Sequence, residues 1–297
     1  MRNPVMAASG TFGEEYRELV KEGALGAIVA KTITLKPRTG NPAPRVCETP
    51  SGMLNSIGLE NKGVDYFLKN KLPALAKFKV PVVASIAGDD EDEFAELARR
   101  LKGRVEAIEL NLSCPNIPRR SRTQYEIIAQ DEEAIEKIVK AVRKATNLTI
   151  ITKLSPNVTD IAKMAKAAED AGSDAVSLVN TFLGMAVDIE TKKPKLGNVT
   201  GGLSGPAIKP LALRTVWSAY NKVRIPIIGI GGIMDWRDAI EFILCGATAV
   251  QVGTANFVNP KAPSEIITGI KGYLRKNKIG NINELIGRIE VKNDRGK

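Results

Sequence analysis

Apolar residues in this chain gather into eight short runs, separated by longer stretches of mixed character. The runs cover residues 4–9, 27–33, 82–87, 107–113, 149–155, 175–181, 226–231 and 247–253. Each is nearly continuous in apolar, often β-branched residues, as expected of a parallel strand covered on both faces. Between them, apolar positions recur at helical spacing. Segment 91–102 reads EDEFAELARRLK and places Phe94, Leu97, Ala98 and Leu101 on one face. Segments 131–146, 159–171, 207–223, 235–245 and 263–276 repeat the pattern. Asp131 and Asp235 stand where N-caps belong, and Gly172 and Gly246 where helices stop. Charges on the outer helix faces read as solvated.

Eight strand–helix units in 297 residues predict an α/β fold, a TIM (β/α)8 barrel forming one domain over 1–297. The alternative, a doubly wound open sheet, usually places a glycine-rich turn after its first strand. Here Ser9-Gly10-Thr11-Phe12-Gly13 follows the first run, and the glycine-dense turns come after the seventh and eighth. Three connections, 36–61, 115–130 and 182–206, are too long for plain turns. All three follow strand C-termini, so long loops are expected on the face where a barrel keeps its site.

Composition narrows the chemistry. The formal net charge is +10, which suits a basic, soluble surface and leaves open an acidic partner. There is no histidine, so proton transfer falls to Cys, Lys, Tyr or a carboxylate, and a histidine triad is excluded. Cys47, Cys114 and Cys245 show no paired spacing, which predicts neither disulfide framework nor zinc site. No window is long and apolar enough for a membrane span, and residues 1–4 carry no signal-peptide pattern. A cytoplasmic protein is the simplest expectation.

The strand ends carry the candidate residues. Lys31-Thr32 lies at the second, Asn111-Leu-Ser-Cys114-Pro-Asn116 at the fourth, Lys153-Leu-Ser-Pro-Asn157 at the fifth and Asn180-Thr181 at the sixth. Gly231-Gly232 and Gly253-Thr254 follow the seventh and eighth, the usual phosphate position of a barrel. They could otherwise be ordinary turns. Lys31 and Lys153 are embedded in apolar runs, which is costly without an anionic or acceptor partner. Salt-bridged lysines are one reading; the other is cations beside a ring that gains negative charge on reduction. Asn55, Asn111, Asn116 and Asn180 offer donors and acceptors to a small polar heterocycle. Cys47 and Cys245 read as small core residues. Cys114, in a polar loop of a chain without histidine, is the candidate base.

These motifs together resemble a known family. NPVMAASGTFG, the Lys31 run, GNPAPRVCETPSGMLNSIGLEN, ELNLSCPN, KLSPNVTDI, GGLSGPAIKP, GIGG and VGTANF are similar to class 1 dihydroorotate dehydrogenases over about residues 3–290. Cysteine rather than serine in NLSCPN points to class 1, and KLSPNVTDI, GGLSGPAIKP and GTANF to the class 1B catalytic subunit. The resemblance implies FMN in the barrel and oxidation of dihydroorotate to orotate in pyrimidine synthesis. It implies that Cys114 removes the C5 proton while hydride leaves C6. Lys31, Asn55, Asn111, Asn116, Asn180 and Thr181, with the backbone of Gly58 and Leu59, would hold the substrate. Ala8, Ser9, Lys31, Thr32, Ser85, Asn111, Lys153 and Val179 would contact the flavin, and Gly205, Gly231, Gly232, Gly253 and Thr254 its phosphate end. A partner subunit with FAD and a [2Fe–2S] cluster would pass electrons to NAD⁺, in a heterotetramer built on a dimer of catalytic chains. Neither nucleic acid nor membrane is an expected partner.

The sequence departs from that pattern at three places. Only two residues precede NPVM, the turn after GTFG is short, and the segment after CPN reads IPRRSRTQYEIIAQD, without the usual Gly-Gly and Phe-Gly. Dihydropyrimidine dehydrogenase and tRNA dihydrouridine synthase also resemble FMN barrels with a loop cysteine. A barrel that only binds a phosphorylated ligand is a third alternative.

Overall fold

The computed structural model describes residues 1–112 and 128–290. Eight parallel strands close a barrel: β1 (Val5–Ala7), β2 (Ala27–Val29), β3 (Val82–Ile86), β4 (Ala107–Asn111), β5 (Thr149–Lys153), β6 (Ala175–Leu178), β7 (Ile227–Ile230) and β8 (Ala249–Val252). Each pairs with its sequence neighbours, and β8 closes on β1 through Val5↔Val250 and Ala7↔Val252. All eight apolar runs supply one strand each, and every strand stops before its run does.

Six long helices pack outside: α1 (Glu91–Leu101), α2 (Glu132–Ala145), α3 (Ile161–Asp170), α4 (Lys209–Tyr220), α5 (Trp236–Leu244) and α6 (Ala262–Lys276). The apolar stripe of α1 behaves as its spacing predicts, with Phe94, Leu97, Ala98 and Leu101 fully buried. Burial of a side chain such as Phe94 contributes roughly 1.5–3 kcal/mol. Asp131 caps α2 by accepting from Glu133 N at 2.9 Å, and Asp235 forms a full capping box with Asp238 on α5. Asp90 and Asp160 cap α1 and α3 in the same way. Gly172 and Gly246 end α3 and α5 with φ of 102° and 113°.

Two expectations need correction. The chain does not build eight equal strand–helix units. After β1 the only helical element before β2 is a 3-10 turn, Glu14–Tyr16. Residues 36–61 and 182–206 are not simple loops either. They pair with each other as a four-stranded antiparallel sheet in the order Val46–Thr49, Gly52–Asn55, Thr200–Ser204, Phe182–Met185. Gly202 sits in its centre, where any Cβ would collide with Thr181. The sheet lies over the C-terminal end of the barrel. Of the 115–130 connection, only Ile128–Gln130, a 3-10 turn, falls within the described residues.

Side chains alternate across each strand. The odd-numbered positions of β4 point inward and give Ala107, Glu109 and Asn111; Ile108 and Leu110 belong to the outer core. The floor of the barrel is an apolar plug of Met6, Ala27, Val29, Val83, Ala107, Ile151, Ala175, Ile228 and Ala249. Above it the inward positions turn polar: Ser85, Glu109, Ser177 and Gln251 are all fully buried. Above these, Asn111 and Lys153 reach the mouth as partners in the β4–β5 register.

Candidate active site

One cavity opens at this mouth, beneath the four-stranded sheet. Its wall takes Ala8 and Ser9 from the end of β1, Lys31 and Thr32 from beyond β2, Asn111 from β4, and Lys153 from β5. Val179, Asn180 and Thr181 follow β6; Gly231 and Gly232 follow β7; Gly253 and Thr254 follow β8. The overlying connections add Asn55, Gly58, Leu59 and Gly205. Residues separated by more than 240 positions in the chain thus share one wall, because parallel strands bring all their C-terminal ends to the same side.

Four candidates stand differently. Cys114 and Asn116 lie outside the described residues. Ser85 is fully buried and does not reach the cavity wall; its Oγ is 2.9 Å from Thr32 Oγ1 and supports that residue from behind. Lys31 lines the cavity but is not embedded in a strand. β2 ends at Val29 and Lys31 is exposed, so the burial cost inferred for it does not apply. For Lys153 that inference holds: it closes β5, is 8% exposed, and its Nζ lies 3.7 Å from Glu109 Oε1.

Polar side chains at the mouth hold one another. Asn111 Nδ2 donates to Thr32 Oγ1 at 3.1 Å, and Ser9 Oγ donates to Ala30 O at 2.8 Å. Asn180 Nδ2 reaches Asn111 Oδ1 at 3.4 Å, while Asn180 Oδ1 accepts from Thr181 N at 2.8 Å. Asn55 Nδ2 donates to Gly202 O at 3.4 Å. Asn157 has a structural role, bonding Ser155 Oγ and Thr181 O. Gly58 and Leu59 both have left-handed φ, 71° and 56°. That conformation is costly for leucine, and both residues line the cavity.

The far end of the cavity suits a phosphate. The N–H groups of Gly232, Gly253 and Thr254 have no protein acceptor among the described residues. Gly232 needs to be glycine for its own backbone, with φ of 73° and a Cβ position 2.9 Å from Gly205 O. Gly253 does not. A Cβ there would meet only Ala8 and Thr11, at 3.6 and 3.9 Å, so the missing side chain leaves room in the cavity rather than relieving a clash. Open N–H donors, vacant volume and two lysines are the donor set that an anionic, ring-bearing cofactor requires.

Lys209 packs beside Gly232 and is held by Asp238 at 2.6 Å and Glu241 at 3.0 Å. Burial opposes its charge, but these two hydrogen bonds outweigh that and raise its pKa. Burial likewise works against the Asp238 carboxylate, and bonds from Lys209, Met234 N and Asp235 N overcome it and lower its pKa. Lys209 and Asp238 were not singled out in the sequence, nor were Glu109 and Gln251. For the last two a signal existed: they sit at the same strand parity as Asn111 and Gly253.

Comparison with known proteins agrees with this arrangement. A family model for dihydroorotate dehydrogenase matches residues 1–274. A protein of Desulforamulus reducens named dihydroorotate dehydrogenase B (NAD(+)), catalytic subunit, is 54% identical over 295 residues, covering 98% of this chain and 96% of the relative. Relatives of the same name from Caldicellulosiruptor saccharolyticus and Geobacter sulfurreducens are each 52% identical, over 293 and 295 residues, covering 98% of this chain and 96% and 95% of their own. With its barrel, its cavity and nearly its whole length matched, the chain belongs to the dihydroorotate dehydrogenase family.

Proposed function

We propose that this chain is the catalytic subunit of a class 1B dihydroorotate dehydrogenase, a single-domain cytoplasmic enzyme that oxidises dihydroorotate to orotate. The observation that carries the reading is the shared cavity. It unites open backbone donors at Gly232, Gly253 and Thr254 with Asn55, Asn111 and Asn180 and two lysines.

The residues divide the work by position. Gly205, Gly231, Gly232, Gly253 and Thr254 would hold the phosphate of FMN, and Ala8, Ser9, Thr32, Lys153 and Val179 its ring system. When bound, FMN supplies the two-electron acceptor for the hydride that leaves C6. Asn55, Asn111, Asn180 and Thr181 would orient the pyrimidine by its alternating donors and acceptors, with Asn116 added from outside the described residues. The N–H groups of Gly58 and Leu59 would take the substrate carboxylate. Cys114 Sγ would accept the C5 proton, the role that falls to a thiol in a chain without histidine. Lys31 and Lys153 would offset negative charge as it develops.

The relatives are named as catalytic subunits of NAD(+)-linked enzymes. We extend this to a partner subunit bearing FAD and a [2Fe–2S] cluster, joined to a dimer of this chain. Anaerobic titration of flavin-loaded protein with dihydroorotate tests the central reading. Flavin absorbance should bleach stoichiometrically; flavin that stays oxidised at saturating dihydroorotate sinks the proposal.

A further inference from the structure

The barrel interior contains a carboxylate that the proposed chemistry does not use. Glu109 is fully buried in the middle of β4, one inward position below Asn111 and one above the apolar plug. An apolar side chain would fill this space without the desolvation cost of a buried charge. Instead two other strands contribute groups to hold it. Ser177 Oγ of β6 donates to Glu109 Oε2 at 3.1 Å, and Gln251 Nε2 of β8 donates to the same oxygen at 2.7 Å. Both donors fall on one oxygen. The other, Oε1, has no hydrogen-bond partner among the described residues and faces Lys153 Nζ at 3.7 Å.

That asymmetry has a direction. Ser177 and Gln251 fix the rotation of the carboxylate, and the oxygen they leave open is the one turned toward the lysine. Lys153 is itself nearly buried and forms part of the cavity wall. Its ammonium therefore has the cavity on one side and Glu109 on the other.

We propose that Glu109 is a positioning residue for Lys153: it fixes the ammonium at the cavity wall and tempers the positive charge offered to the bound cofactor. The inference rests on the flavin reading above. A lysine stripped of its counter-carboxylate presents a larger uncompensated charge, and a ring that gains negative charge on reduction is then easier to reduce.

The test is the two-electron midpoint potential of bound flavin in wild type, Glu109→Gln, Lys153→Met and the double variant. Glu109→Gln should raise the potential by about 30 mV, which is about tenfold in the reduction equilibrium. In the Lys153→Met background the same substitution should shift it by less than about a third of that, because the effect runs through the lysine. Equal shifts in both backgrounds, or none in either, overturn the proposal. If Glu109→Gln fails to fold, Glu109→Asp carries the test. It keeps the charge but withdraws it by one carbon, and should give a smaller rise that again vanishes without Lys153; an unchanged potential overturns the proposal. Wild-type protein that binds no flavin defeats both this inference and the functional reading. Flavin that bleaches with dihydroorotate yet shows no Lys153-dependent shift defeats this inference alone.

Discussion

Asn111 Nδ2 donates to Thr32 Oγ1 at 3.1 Å, and the same hydroxyl lies 2.9 Å from Ser85 Oγ. The ends of β2, β3 and β4 are thereby tied together through one threonine, and the amide of Asn111 is oriented before any ligand arrives. Thr32→Val keeps the shape and removes the shared hydroxyl. It should cost about 1–2 kcal/mol of stability and weaken flavin binding several-fold. Chemical denaturation and flavin titration check both; unchanged values in both would mean that the tie does not matter.

Gly253 and Gly232 separate two reasons for glycine. Gly253→Ala has room against the protein but intrudes on the cavity. It should leave the thermal midpoint within about 1 °C, since surface-like changes stay near ±0.5 kcal/mol, yet lower flavin affinity at least about tenfold. Gly232→Ala meets a left-handed backbone and the Lys209 main chain, so it should lose both stability and affinity. Differential scanning fluorimetry beside flavin titration distinguishes the two patterns.

Cys114→Ser should slow flavin reduction by dihydroorotate sharply at neutral pH and recover as pH rises. A thiol titrates near about 8.5, whereas a serine hydroxyl stays protonated far above that range. Stopped-flow reduction across pH measures it, and an unchanged rate at neutral pH would remove Cys114 as the base.

Asp238 supports Lys209, Met234 N and Asp235 N together. Its pKa is lowered from the ordinary value of 3.8, so its contribution is complete above that value and lost as pH falls through the lower folded-state value. Asp238→Asn should cost roughly 2 kcal/mol at neutral pH, and the gap from wild type should narrow below about pH 4. Lys209 has the opposite sign: its raised pKa means that its share is lost only in strong alkali. Urea midpoints at several pH values follow the gap.

The barrel was legible because eight short, β-branched, largely apolar runs alternate with segments of helical periodicity, the pattern of doubly covered parallel strands. Most cavity residues were legible for a related reason, since a parallel barrel sends every strand end to one face. Lys31 was misplaced because an apolar run does not mark where a strand stops; β2 ends two residues before it. The sheet over the mouth was missed because its strands are four or five residues long and lie far apart in sequence, and their pairing is decided by the barrel beneath them. Glu109 stood in plain view within AIELN, but its importance depends on Ser177 and Gln251, which only the closed barrel brings to it.

That sheet restricts how the family can change. Because Gly52–Asn55 pairs with Thr200–Ser204, the connection after β2 and the connection after β6 are a single woven piece. Adding or removing one residue within either paired strand would turn every following side chain of that strand to the opposite face, and in Gly52–Asn55 it would pull Asn55 off the cavity. Ser204 also bonds Thr254 at 2.8 Å, so the disturbance would reach the phosphate end as well. Divergence in substrate preference within this architecture should therefore proceed by point substitution at cavity-facing positions, with the lengths of these paired strands held constant and insertions confined to the stretches outside them.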